Sequence, residues 1–194
     1  MAQDFFLARQ PILDRDGHLH AYELLFRSSQ QNQAMVTDDL TASATVIHNA
    51  FAELGLEQAL GHALGFINVD DELLFSDIIE LLPAQRIVLE ILETVKLTPE
   101  VIERVRSLKA RGFRVALDDV TEEVPGMPEL LPLIDVIKFD LLAIPADDLP
   151  KLVGRFSAYT ALKLAEKVDS AEQYERCLRL GFNLFQGYFF ARPK

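Results

Sequence analysis

Cysteines and long apolar stretches are scarce in this sequence. Its one cysteine, Cys177, cannot form an internal disulfide, which is typical of proteins in a reducing compartment. No apolar stretch approaches the roughly 20 residues that a membrane-spanning helix needs. The N-terminal segment carries Asp4 and Arg9 where a signal peptide would have an unbroken apolar stretch. These absences predict a cytoplasmic protein.

Positive charge is also scarce. The chain has 19 lysines and arginines against 30 aspartates and glutamates, a formal net charge of -11. A surface this acidic repels phosphate polymers, so we exclude general binding of nucleic acids. A small anionic ligand stays compatible with this charge if a metal ion or a local cluster of cations neutralises it.

Apolar residues, in contrast, are abundant. They make up 49% of the 194 residues, enough for one sizeable core, which predicts a single domain over residues 1–194. The sequence DRDG, residues 14–17, is typical of a tight turn. It predicts that the first two strand-like runs form an antiparallel hairpin. The eight strand-like runs cover residues 5–13, 18–27, 64–69, 86–92, 113–119, 134–140, 160–166 and 184–190.

Helical patterns separate most of these runs. Residues 38–55 carry one apolar stripe at helical spacing. Thr98 is placed to cap a second helix that stops at Gly112, and Ser170 with Gln173 forms a capping-box pattern before a third. Helices between strands require parallel pairing. The pattern therefore predicts a TIM-like (β/α)8 barrel with a reversed first strand, and leaves an open doubly wound sheet as the alternative.

Polar residues recur at the C-terminal ends of the apolar strands. Because a parallel sheet buries both faces, a charge there must be paired, bound to metal or at the mouth of the barrel. In a barrel these strand ends meet at one rim, where active sites are built. The residues are Glu90, Asp118, Asp119, Asp140 and Glu166, together with Asn68 and Gln186.

Oxygen ligands of this kind suit Mg²⁺ or Mn²⁺ better than zinc. The adjacent Asp118 and Asp119 would repel each other unless a cation lay among them. Lys138, on the next strand, is placed to orient or deprotonate a water molecule. These features predict metal-assisted hydrolysis of a phosphate ester, and a purely structural network of salt bridges is the alternative.

Seven segments, in this order, resemble those of EAL domains, which are bacterial modules of cyclic di-GMP signalling. They are QPILDRDGHLHAYELLFR, FINVD, LEILET, VALDD, IDVIKFD, AEKVDS and LGFNLFQGYFFARP, and they extend over nearly the whole chain. The resemblance implies a TIM-like barrel with a reversed first strand. It also implies a metal-dependent phosphodiesterase that hydrolyses cyclic di-GMP to the linear dinucleotide, with Mg²⁺ or Mn²⁺ as cofactor.

The resemblance further implies a role for each residue that matches a family motif. Lys138 would activate water, Gln186 would position that water, and Glu93 would support the mobile loop after the fifth strand. Glu166 would belong to this catalytic group and also bind metal. The metal ligands would be Glu23, Asn68, Glu90, Asp118 and Glu166, and, for a second metal, Asp119.

The remaining matches concern the ligand and the partners. Gln10 would lie beside the nucleotide, and Arg27 would contact a phosphate. The chain is most similar to the EAL portion of proteins that fuse this domain to a following HDOD module. The implied partners are cyclic di-GMP, a downstream HDOD-type module or another signalling protein, and a second copy in a homodimer.

The segment after Asp119 departs from the family pattern. EAL domains have a phenylalanine and a glycine-rich loop there, whereas residues 120–130 read VTEEVPGMPEL. Glu122 and Glu123 would repel a phosphodiester, and Pro125 stiffens the backbone. This altered loop predicts weakened hydrolysis.

A second departure lies in AEKVDS, where Lys167 replaces a glycine and Asp169 replaces a glutamate. Aspartate is one methylene shorter than glutamate, and metal sites tolerate misplaced ligands poorly. A weakened phosphodiesterase therefore competes with two other interpretations. One is a catalytically inactive cyclic di-GMP receptor, and the other is a protein-interaction scaffold.

Overall fold

Eight strands close into a barrel in chain order. The computed structural model describes residues 5–28 and 60–193. The closed barrel excludes the open doubly wound sheet and confirms the predicted architecture. The strands are β1 (Phe5–Asp14), β2 (Leu19–Ser28), β3 (Leu64–Val69), β4 (Ile87–Ile91), β5 (Arg114–Leu117), β6 (Val136–Asp140), β7 (Leu162–Glu166) and β8 (Leu184–Phe185).

The first strand is reversed, as predicted. β1 pairs antiparallel with both β2 and β8, and all other neighbouring strands pair parallel. The β1–β2 turn is held by Asp14, whose Oδ1 accepts hydrogen bonds from the backbone N–H groups of Asp16 and His18, both at 2.9 Å. Gly17 closes the turn with a left-handed backbone, φ 79°.

Helices follow several of the parallel strands. Thr98 caps the second of them by accepting a hydrogen bond from the Val101 N–H at 3.4 Å, as its sequence predicts. Ser170 caps the last by accepting from the Gln173 N–H at 3.3 Å, while Gln173 accepts from the Asp169 N–H at 2.9 Å. The helices are α1 (Asp71–Phe75), α2 (Pro99–Ala110), α3 (Met127–Leu130), α4 (Leu149–Arg155) and α5 (Ala171–Arg179), with 3₁₀ turns at Asp77–Leu81 and Leu131–Leu133. Across residues 5–28 and 60–193, no helix has the length and apolar character to span a membrane.

The last predicted strand is shorter than its sequence pattern indicates. The pattern covers residues 184–190, but β8 ends at Phe185. Gly187 lies so close to the Val168 backbone that a Cβ atom would clash, and Phe190 N–H returns to the Gly187 carbonyl at 3.1 Å. The chain therefore turns where an extended strand was predicted. The predicted helix over residues 38–55 and the Arg27 side chain lie outside the part that the structure describes.

Apolar side chains pack in two regions, one between the barrel and its helices and one inside the barrel. In the outer region the Phe139 ring packs edge-to-face on Phe156 and Phe182, with centroids 5.8 and 5.5 Å away. The inner region, which we call the apolar layer, takes one buried residue from each strand. Its members are Ile12, Ala21, Phe66, Val88, Ala116, Val136, Leu164 and Leu184.

A second layer lies directly above the apolar layer. Because side chains alternate sides along a strand, residues two positions nearer the barrel mouth also face the interior. On the parallel strands these positions follow the apolar residue, and on the reversed β1 the position precedes it. This polar layer consists of Gln10, Glu23, Asn68, Glu90, Asp118, Lys138, Glu166 and Gln186. Strand periodicity and barrel closure thus bring eight polar side chains to one end of the molecule.

Candidate active site

The mouth of the barrel holds a cavity of about 370 Å³ above the polar layer. Lys167 and Asp169, which follow β7, line one side of it. Leu25, Leu142 and Tyr188 add apolar surface at the rim. A small polar ligand with apolar or aromatic parts fits such a cavity.

Lys138 occupies the centre of the polar layer. Its side chain is 1% exposed, and its ammonium forms an ion pair with Glu90. The same Nζ lies 2.9 Å from Asp118 Oδ1 and 2.9 Å from Glu166 Oε1. Three predicted metal ligands and the predicted water-activating lysine therefore meet, although they come from four different strands or strand ends.

The electrostatics of this cluster oppose full ionisation. Burial raises the pKa of Glu90 well above its usual range, and burial raises the pKa of Glu166 to about 8. Burial also opposes ionisation of Asp118, but the Lys138 ammonium lowers the pKa of that carboxyl. Burial alone would lower the pKa of Lys138, yet Glu166 and Glu90 raise it, so this lysine stays charged.

Several oxygen atoms of the polar layer are buried without a hydrogen-bond partner among residues 5–28 and 60–193. They are Asn68 Oδ1, Glu90 Oε2, Glu166 Oε2 and Gln186 Oε1. A buried acceptor without a partner is unfavourable, and a bound cation would compensate the carboxylate and amide oxygens. Hard divalent cations such as Mg²⁺, Mn²⁺ and Ca²⁺ take ligands of this type. The donor set therefore fits a divalent metal.

Gln186, which follows β8, links the last strand of the barrel to the first two. Its side-chain amide donates hydrogen bonds to Glu23 Oε2 and, at 3.1 Å, to Gln10 Oε1. The Gln10 amide in turn donates to the Ala191 carbonyl at 3.3 Å. These contacts orient Glu23 and hold Gln10 at the cavity, so both predicted residues lie at the mouth of the barrel.

Asp119 lies outside the polar layer and belongs to a second, outer group of acids. Its carboxyl and those of Asp118 and Glu93 each have an oxygen within 4.8 Å of the others. Burial, followed by the charge of Asp118, raises the pKa of Asp119. The structure thus places the exposed Glu93 beside the aspartate pair, and its predicted role as a support of the following loop stays a prediction.

The loop after Asp119 is anchored at both ends and exposed between them. Val120 is buried, and its N–H donates to the Lys138 carbonyl at 3.0 Å. Gly126 has φ 83° and lies against Leu97 with no room for a Cβ atom. Residues 121–125 are exposed, and within the described residues this stretch makes no hydrogen bond to Glu93.

Two residues without a predicted role lie in the site. Asp140, on β6, is 5% exposed, and its Oδ1 accepts hydrogen bonds from Leu142 N–H at 2.7 Å and Ala143 N–H at 3.3 Å. Its Oδ2 forms an ion pair with the Lys167 ammonium. The sequence signal for Asp140 was its position at the C-terminal end of an apolar strand. The pairing with Lys167 has no such signal, because it depends on how the segment after β7 turns.

Sequence comparison identifies the family. A sequence profile described as the EAL domain matches residues 1–193. The chain belongs to the EAL domain family, which confirms the resemblance carried by its seven motifs.

Three similar proteins illustrate this membership. The chain is 34% identical over 193 residues to the Bacillus subtilis protein YuxH, covering 97% of this chain and 47% of YuxH. It is also 34% identical over 192 residues to Vibrio cholerae CdgJ, named as a cyclic di-GMP phosphodiesterase, covering 97% of this chain and 44% of CdgJ. The chain therefore spans less than half the length of these curated relatives. The Bacillus subtilis EAL protein YkuI, solved with cyclic di-GMP and calcium, has the same fold, with a TM-score of 0.79 at 22% identity over 98% of this chain and 56% of YkuI.

Proposed function

We propose that this domain is a metal-dependent phosphodiesterase that hydrolyses cyclic di-GMP to the linear dinucleotide. The observation that supports it best is the polar layer, where Lys138 lies among Glu90, Asp118 and Glu166 beneath an open cavity. The name of CdgJ and the ligand of YkuI supply the substrate class. A structural salt-bridge network would not need buried oxygens without partners, and the polar layer has them.

Mg²⁺ or Mn²⁺ is the cofactor that we propose. Its ligands would be Glu23, Asn68, Glu90, Asp118 and Glu166, with Asp119 at a second, more weakly held ion. When bound, such an ion polarises a phosphoryl group and lowers the pKa of water. The protein contributes the donor oxygens, and burial beneath the cavity keeps them in a site of low dielectric constant.

The polar side chains would divide the work of positioning and proton transfer. Lys138 keeps its proton at neutral pH because the surrounding carboxylates raise its pKa. It would therefore orient the attacking water and counter negative charge on the phosphate. Gln186 Oε1 has no hydrogen-bond partner in the described part of the chain, and it would accept a hydrogen bond from that water. Glu166 Oε1 lies 2.9 Å from the Lys138 ammonium and would act beside it in the catalytic group, as well as binding metal.

The proposal is tested by separating binding from hydrolysis. Cyclic di-GMP is titrated in Ca²⁺ to measure binding, and the linear product is followed in Mn²⁺. We expect product from the unmodified domain and a loss on the order of a hundredfold or more in Lys138→Met. Lys163→Met, which removes a lysine on the other face of β7, is the matched control and should retain activity. A domain that neither binds in Ca²⁺ nor forms product in Mn²⁺ would contradict the proposal.

The altered loop after Asp119 favours weakened activity of this phosphodiesterase, and it makes an inactive receptor the second candidate. Its middle, residues 121–125, is exposed and makes none of the described hydrogen bonds to Glu93. We infer that the loop holds the site poorly, and misplaced groups cost on the order of a hundredfold in rate. Replacing residues 120–127 with a phenylalanine and a glycine-rich loop, together with Asp169→Glu, should raise turnover. Equal rates before and after this graft would contradict a loop defect, and binding without product in both would favour the receptor.

For the whole protein we propose a cytoplasmic location, a homodimer, and an HDOD-type module or another signalling protein as partner. These proposals rest on the family resemblance. They concern the whole protein, whereas this chain spans less than half the length of its curated relatives. Light scattering on the full-length protein, with and without cyclic di-GMP, tests the dimer. A mass of one subunit under both conditions would contradict it.

A further inference from the structure

Lys167 has an unusual backbone conformation at the edge of the site. It directly follows Glu166 of β7, and its φ of 55° lies in the left-handed region, which is disfavoured for residues with a side chain. EAL domains carry a glycine in the matching motif, and glycine adopts this conformation freely. The structure therefore accommodates a lysine where glycine would be unstrained.

The Lys167 ammonium is held at the cavity by a fixed partner. It forms an ion pair with Oδ2 of Asp140, which is 5% exposed. The other carboxylate oxygen of Asp140 accepts two backbone hydrogen bonds, so this carboxyl has a defined orientation. The Lys167 side chain is 49% exposed and lines the cavity, so solvent and ligands reach it.

Lys167 shares the cavity with two of the proposed metal ligands. Asp119 and Glu166 line the same cavity as Lys167, and Glu166 is its neighbour in the chain. The Lys167 ammonium therefore places a positive charge, ion-paired with Asp140, in the part of the site that Asp119 lines.

We propose that Lys167 is a tethered cation that takes the place of a second divalent ion in the outer part of the site. Its ammonium neutralises Asp140 and weakens the hold of Asp119 on a divalent ion, so one ion binds tightly in the polar layer. This inference rests on the proposed metal site. A covalently attached ammonium loses no translational freedom on binding, and it repels any divalent ion close to it. It therefore competes effectively with a divalent ion for the outer acids.

The number of tightly bound Mn²⁺ ions tests the inference independently of activity. Free Mn²⁺ is measured by electron paramagnetic resonance during titration of the nucleotide-free protein at neutral pH. We expect one tight ion in the unmodified domain, in Lys167→Arg, which keeps the charge, and in the β7 control Lys163→Met. Lys167→Met removes the charge and should bind a second ion about tenfold or more tightly than the unmodified domain does. Adding Asp119→Asn to Lys167→Met should abolish this gain.

The outcomes separate this inference from the proposed function. Two tight ions in the unmodified domain, or the same binding curve for Lys167→Met, would overturn the role of Lys167 and leave the metal site standing. No tight ion in the unmodified domain would overturn both. If Lys167→Met fails to fold, Lys167→Gly removes the charge and relieves the left-handed strain, and the same comparison applies to it.

Discussion

The apolar and polar layers of the barrel interior are built on the same eight strands, only two residues apart. Phe66 and Leu164 in the apolar layer are completely buried and surrounded by apolar side chains. Glu90 and Lys138 in the polar layer are equally buried, yet one Glu90 oxygen has no hydrogen-bond partner among the residues that the structure describes. The difference shows that one strand repeat, about 6.6 Å along the strand, separates residues that hold the barrel closed from residues that can bind a ligand.

The two layers make opposite contributions to stability. Burying apolar surface contributes about 25 cal/mol per Å², whereas burying an ion costs several kcal/mol unless partners compensate it. Lys138 compensates the carboxylates only in part, since Glu166 Oε2 has no hydrogen-bond partner within residues 5–28 and 60–193. The polar layer is therefore expected to depend on the apolar layer below it and on a bound cation.

Truncating the apolar layer should have the largest effect. Phe66→Ala leaves a cavity inside the barrel and should lower the free energy of unfolding by about 3–5 kcal/mol. Thermal and urea unfolding in chelator measure this loss. Phe75→Ala is the matched control, because Phe75 is 50% exposed and its loss should cost far less. Equal effects of the two variants would contradict the assignment of the apolar layer as the stabilising core.

Binding of a metal ion in the polar layer should have the next largest effect on stability. Mn²⁺ or Mg²⁺ that binds only the folded state stabilises it by about 2.7 kcal/mol at a hundredfold excess over Kd. The rise in melting temperature should disappear in Glu90→Gln combined with Asp118→Asn. Phe66→Ala should keep the rise if it still folds, since its polar layer is intact. A metal-induced rise that persists in the double variant would locate the ion elsewhere.

The polar layer should also make the metal-free protein sensitive to pH. Burial raises the pKa of Glu166 from 4.5 to about 8 in the folded state. Folding favours the protonated form of Glu166. The contribution of this group to the free energy of unfolding is therefore fully present below about pH 4.5, and it is lost as the pH rises to about 8. Glu166→Gln should remove part of this decline in chelator. Glu122→Gln, in the exposed loop, should leave the decline unchanged, and an unchanged decline in Glu166→Gln would refute the assignment.

Extending the apolar layer by one residue should have the smallest effect. Asn68 Oδ1 is buried with no hydrogen-bond partner in the part of the chain that the structure describes. Asn68→Leu should therefore raise metal-free stability by about 1 kcal/mol while reducing the stabilisation by Mn²⁺. Asn183 differs, because its Oδ1 accepts a hydrogen bond from Lys163 N–H at 3.0 Å. Asn183→Leu should therefore lower stability. A loss of stability in both variants would show that Asn68 has partners in solution.

Local physical chemistry in the sequence determined most of the barrel. DRDG specified the β1–β2 turn, and Thr98 and Ser170 specified two helix starts, because each acts through contacts a few residues away. The apolar pattern of the strands placed Glu90 and Lys138 near the C-terminal strand ends that form the mouth. It also overextended β8, since a glycine in an aromatic run does not reveal that its backbone will lie against Val168.

Only the tertiary structure decided how the charged groups pair. Lys138 could have met any of several acids, and barrel closure brings it to Glu90, 48 residues away in the chain. Lys167 meets Asp140, 27 residues earlier, because the chain turns left-handed after β7. Charge interactions depend on distance and burial in three dimensions, and neither follows from spacing along the chain. The sequence alone thus determined which residues reach the mouth of the barrel, and the closed barrel decided which charges meet there.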